Sequence, residues 1–122
     1  MSPSKSTDTS AELPVRNLDE AADRLLEQVA AARTGRSALS LLAGPATPLK
    51  QTLLALRGGA RLEEHESPGA STLQVLRGRV RVVAGDQAWQ LRQGDHLKLP
   101  DERHRLDGVE DAVILLTVAM SG

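Results

Sequence analysis

The chain has 122 residues, which is one domain by length and enough to bury a core without disulfides or structural metals. Its 15 basic and 16 acidic residues leave a net charge of −1, which excludes a general electrostatic pull toward nucleic acid or membrane surfaces. With no cysteine, disulfide and thiol chemistry are excluded as well.

Residues 1–14 are rich in Ser, Thr and Pro and poor in apolar side chains, which predicts a disordered tail. This N-terminus lacks the apolar stretch of a signal peptide, and the longest apolar run, Ala112–Leu116, is far too short to span a bilayer. The expected location is the cytoplasm. Residues 15–35 read as one helix. Asn17 and Glu20 form a capping-box pattern, and Leu18, Ala21, Ala22, Leu25, Leu26, Val29 and Ala32 recur at helical spacing. Gly35 is the expected stop. The apolar stripe needs cover, and a barrel wall or a second subunit would serve equally.

After Gly35 the period changes from helical to strand-like, and residues 36–122 read as one β-domain. Short apolar runs at Ala38–Ala43, Gln51–Leu56, Thr72–Leu76, Val80–Ala84, Ala88–Leu91, Leu97–Leu99 and Ala112–Ala119 alternate with Gly, Pro and Asp. Such spacing predicts an all-β sandwich or barrel, and the lack of helices between strands argues against a parallel sheet. Gly85-Asp86 and Arg77-Gly78 stand where tight hairpins are wanted. Trp89 is the one aromatic residue of the chain and is expected to pack in a sheet. A pocket built without Phe or Tyr has little to stack a nucleobase on.

One framework of glycine, proline and histidine stands out. Five residues separate Gly59 from His65 and twelve separate His65 from Gly78; fifteen lie between Gly78 and Gly94, and five between Gly94 and Pro100, with His104 following. Over Gly59 to about Val118 this resembles the conserved barrel of small single-domain cupins. The first cupin motif runs Gly, five residues, His-any-His, three or four residues, Glu, six residues, Gly. Gly59, His65 and Gly78 match it, while Ser67 stands for the second His and Ser71 for the Glu. The second runs Gly, five residues, Pro, any, Gly, two residues, His. Gly94 and Pro100 match it, Glu102 stands for the Gly, and strict counting puts Arg105 at the His, with His104 one residue early. The resemblance implies a cupin-type jelly-roll barrel behind one amphipathic helix. It also implies a homodimer, in which the strand near Ala38–Ala43 joins the other subunit's sheet and covers an open edge.

The residues qualify what the resemblance implies chemically. A first-row metal held by protein alone takes about three or four His, carboxylate or thiolate ligands. Here His65 and His104 are the strong donors, Ser67 and Ser71 weak ones, and Glu63 and Glu102 carboxylates within reach. His65, Ser67, Ser71 and His104 form the candidate ligand pocket, and His65 and His104 the candidate metal ligands. The alternatives are a pair of pocket histidines bonded to neighbours or water, and acid–base catalysis without a metal. His96 alternates against Leu97 and Leu99 and should face solvent. Arg77, Arg79 and Arg81 recur every second residue, as a solvated strand face, as partners of Glu63, Glu64 and Glu66 in the preceding segment, or as a site for a carboxylate or phosphate.

Three functions follow. The favoured one is a small-molecule-binding cupin-like protein of unknown ligand, without a catalytic metal centre and with no cofactor favoured. The second is a metal-dependent enzyme of dioxygenase or isomerase type, with a divalent transition metal on His65, His104 and a carboxylate. The third is a structural or partner-binding protein acting through helix and tail, which requires an apolar barrel interior without an accessible pocket. No nucleic-acid or membrane partner is expected.

Overall fold

The computed structural model describes residues 15–65 and 69–120. The tail predicted over 1–14 and Ser67 lie outside the described residues, and for Glu64 and His65 only the backbone is described. Helix α1 (Leu18–Ala31) is followed by nine strands: β1 (Arg36–Leu42), β2 (Leu49–Leu56), β3 (Arg61–His65), β4 (Ser71–Arg77), β5 (Arg79–Ala84), β6 (Gln87–Arg92), β7 (His96–Lys98), β8 (His104–Gly108) and β9 (Ala112–Ala119). They form two antiparallel sheets, β1-β2-β9-β4-β7 and β3-β8-β5-β6. From β2 to β9 the chain distributes its strands between the two sheets in the order of a jelly roll, and β1 adds one strand at an edge.

Between the sheets lies the larger core. Its members include Leu54 and Leu56 of β2, Leu73 and Val75 of β4, Val80 and Val82 of β5, Leu106 of β8 and Ile114 of β9. Trp89 packs against this core from β6, opposite Val82, as expected of the lone aromatic. The second core lies on the outer face of the five-stranded sheet. There Ala21, Ala22, Leu25 and Val29 of α1 meet Leu53, Ala55 and Val113. The helical stripe is therefore covered by the barrel wall of its own chain. Both faces are buried over Leu53–Leu56 at the end of β2 and over Ala112–Ile114 at the start of β9, so these stretches read as continuous apolar runs rather than alternations.

Helix α1 starts as the sequence predicts, with the Asn17 side chain accepting the Glu20 N–H at 2.9 Å. It stops earlier than Gly35, at Ala32. The Arg57 guanidinium donates to the carbonyls of Val29 and Ala32 at 3.1 and 3.0 Å, and so caps the negative end of the helix. Gly35, at φ +71°, then turns the chain into β1.

Two turns expected to be alike differ. Gly85-Asp86 closes a true hairpin, with Ala84 paired to Gln87 and Gly85 at φ +57°. Arg77-Gly78 closes none: β4 and β5 belong to different sheets, and Gly78 carries the chain across. Its φ is +74°, and a Cβ there would fall onto the Asp111 carbonyl oxygen and 2.9 Å from Ala112 Cα. Only glycine fits that crossing.

Candidate functional site

The short strand β8 alternates cleanly. His104, Leu106 and Gly108 are buried, while Arg105 and Asp107 point outward. His104 is 2% exposed and enters the barrel, so the histidine one residue early in the motif is the inward one. Arg105, which strict counting selects, instead donates from Nε and Nη2 to the two carboxylate oxygens of Asp107 at 2.9 and 3.2 Å on the outer face.

The Nδ1 of His104 lies 3.0 Å from the Glu102 carbonyl oxygen. A carbonyl only accepts, so Nδ1 carries the proton, and in the neutral ring Nε2 holds the lone pair. Glu102 thus contributes its backbone to the site, and its exposed side chain does not reach inward. Glu63 is also exposed. A register shift between Leu62 and His65 breaks the strand parity that would place it beside His65.

His65 pairs with His104 across β3 and β8, so the backbone brings the two candidate ligands together at one end of the barrel. Ser71 is 4% exposed and shares its inward face with Leu73 and Val75, as the two-residue step requires. His96 is exposed on β7, as expected.

A cavity of about 20 Å³ adjoins His104, walled by Leu62, Leu73, Val82, Leu99, Leu106 and Leu116. That is room for about one water molecule. A far larger groove, about 770 Å³, lies outside the barrel between α1 and the sheet, with Arg24, Gln28, Leu39 and Leu115 among its walls.

A resident first-row metal would need about three or four converging donors. Among the described residues no three His, Cys, Asp or Glu side chains come within range of one ion. Among the described side chains at this cavity the one imidazole, that of His104, stands in an aliphatic cage and falls short of the usual three or four ligands. The described residues do not fit such a metal, and no chemistry is routed through one.

The three arginines of the sequence pattern separate. Arg77 turns to the helix and meets Asp19 and Asp23 at 3.3 and 3.5 Å. Arg79 meets Glu110 at 3.5 Å, and Arg81 stands beside Asp107 in the sheet register. No sequence motif marks the outward cluster of Arg61, Arg81, Arg105 and Asp107. Alternation along β5 and β8 could have found it, had residues 104–108 been recognised as a strand.

No family model and no curated protein matches the sequence. Solved structures do match. A cupin superfamily protein from Desulfitobacterium hafniense aligns with a TM-score of 0.69 at 19% identity, over 80% of this chain and 88% of that one. The salicylate 1,2-dioxygenase of Pseudaminobacter salicylatoxidans aligns at 0.68 and 21% identity; 82% of this chain spans 33% of the dioxygenase. A Cupin_2 domain of an XRE family transcriptional regulator from Enterobacter cloacae aligns at 0.62 and 12% identity, over 72% of this chain and 99% of that domain. At these identities the likeness establishes the fold, and the fold is the cupin jelly roll with one N-terminal helix.

Proposed function

We propose that this cupin-fold chain is a non-catalytic binding module, in which the filled barrel is a scaffold and contacts with other molecules are made at its surface. The observation that carries this reading is the cavity of about 20 Å³ beside His104, walled by six leucine and valine side chains. Binding sites for organic molecules usually offer about 300–1,000 Å³. A substrate would have to displace core side chains, and each buried leucine removed from its packing costs about 2 kcal/mol or more. This narrows the small-molecule reading of the sequence: the ligand is met outside the barrel.

The likeness to a dioxygenase barrel gives the enzymatic alternative, and one experiment separates the two. Elemental mass spectrometry of untagged protein, reloaded with iron, manganese, nickel, copper and zinc in turn, should find no metal approaching one per chain. Stoichiometric metal that disappears in His104→Ala would overturn the proposal and make the barrel interior a metal centre.

We also propose a homodimer through β1. This strand is an edge of its sheet, and Leu42, Leu49 and Met120 are exposed at the same end of β1, β2 and β9. An open edge with apolar residues beside it is a template for pairing with a second copy. Light scattering after size exclusion should give twice the chain mass, and a monomer at micromolar concentration would refute it.

A further inference from the structure

The outer face of the four-stranded sheet concentrates positive charge. Asp107 on β8 has Arg61 of β3 as its partner on one side and Arg81 of β5 on the other. Arg105 sits two residues back on its own strand, on the same face. Three guanidiniums therefore surround one carboxylate. Arg105 grips both oxygens of Asp107, and Arg61 Nε approaches one of them at 3.3 Å. Arg81 Nε is buried and makes no hydrogen bond among the described residues.

Beside these side chains lies a concavity of about 430 Å³, and Gly59, Ala60 and Gly108 contribute almost no side chain to its lining. Among the described side chains, Glu63 and Glu110 are its acidic neighbours besides Asp107. Glu63 is exposed two residues along β3 from Arg61, and Glu110 is engaged by Arg79. Arg79 and Arg92 stand opposite each other on the same face, and Asp95 and Glu110 line a second concavity with them. The inner faces of these strands are apolar and buried, and so this charge is presented outward only.

We infer that the concavity framed by Arg61, Arg81 and Arg105 binds a dianionic oxyanion, the phosphate group of a small molecule or inorganic phosphate itself. Three guanidiniums stand around the Asp107 carboxylate, a donor-rich setting that suits a multiply charged oxyanion. Guanidinium forks suit phosphate because two parallel N–H donors meet two oxygens. Asp107 holds the Arg105 fork in place and directs the Arg61 head, which reduces the entropy lost when an anion arrives. The flanking Glu63 and Glu110 limit the patch to one group, where a polyanion would need a continuous basic track. This site uses no residue of the barrel interior, so it is independent of whether His104 holds a metal.

The test is a titration with sodium phosphate, and separately with glycerol phosphate, at constant ionic strength, read from the arginine Nε–H signals in nitrogen–proton correlation spectra. The expected result is saturating shifts at Arg61 and Arg81, with binding about tenfold weaker in Arg81→Gln and in Arg61→Gln. Arg61 is half exposed, so the second variant serves if the first fails to fold. Tighter binding of glycerol phosphate than of inorganic phosphate identifies an ester as the ligand, and the reverse order identifies the free ion. Shifts that grow linearly without saturation, or saturation unchanged in Arg61→Gln, would overturn the inference.

Discussion

The Nδ1–H of His104 points back at the carbonyl oxygen of Glu102, two residues earlier and 3.0 Å away. This short loop closure aims the ring into the barrel and fixes which nitrogen carries its proton. Two substitutions separate the packing role of the ring from its polarity. His104→Ala should lower the unfolding free energy by about 2 kcal/mol, because the ring is 2% exposed and its removal enlarges a cavity. His104→Leu should stay within about 1 kcal/mol of the parent, because both sizes are similar and the walls are aliphatic. Urea denaturation of both variants checks this, and a larger loss in the leucine variant than in the alanine one would contradict it.

At the sheet crossing, Gly78→Ala should cost about 3 kcal/mol or more. The new methyl group meets backbone atoms of Asp111 and Ala112, which cannot rotate away, at a φ of +74°. Gly94→Ala provides the comparison: it shares a positive φ but has open space around it, so the cost should be near 1 kcal/mol. Equal midpoints for the two variants would show that the crossing is not as tight as its distances indicate.

The helix termini give a third expectation. Arg57→Met keeps the aliphatic stem and removes two charge-assisted bonds to Val29 and Ala32, for a loss of about 1–2 kcal/mol. Asn17→Ala removes the opposite cap and should cost about 1 kcal/mol. The sites are far apart, so the double variant should show the sum. Amide hydrogen exchange should report faster opening of the last turn in the Arg57 variant only.

Leu53→Ala tests the contact between helix and wall. Leu53 is fully buried in the outer core with Leu25 and Val29, and its truncation should cost about 3 kcal/mol. Loss of helical circular dichroism before the β-signal on heating would show that this seam opens first.

Much of this architecture was legible because periodicity reports burial. The sequence placed the last strand at Ala112–Ala119, as observed, and it read the α1 cap and stripe correctly. Strands β3 and β8 escaped notice because each carries few apolar residues: Leu62 alone in β3, and Leu106 with His104 and Gly108 inward in β8. Local composition also cannot tell a hairpin glycine from one that crosses between sheets, since both need a positive φ; Gly78 is distinguished by Asp111, thirty-three residues away. The same limit applied at the second motif. Counting positions favoured Arg105, but the loop from Asp101 to Arg103 sets the phase of β8, and strand phase depends on pairing partners rather than on distance along the chain.

The position of β9 has a consequence for how the molecule is made. It is the last strand in chain order and yet the central one of the five-stranded sheet, between β2 and β4. Until residue 119 has been synthesised, that sheet exists only as two separate pairs, β1 with β2 and β4 with β7. Helix α1, though made first, cannot complete its seat, because Val113 forms part of the surface that it covers. The five-stranded sheet and the seat of the helix must therefore wait until β9 has been made. The early strands then have exposed apolar edges for as long as the ribosome takes to reach β9, and the folding rate is set by a long-range closure rather than by local hairpins.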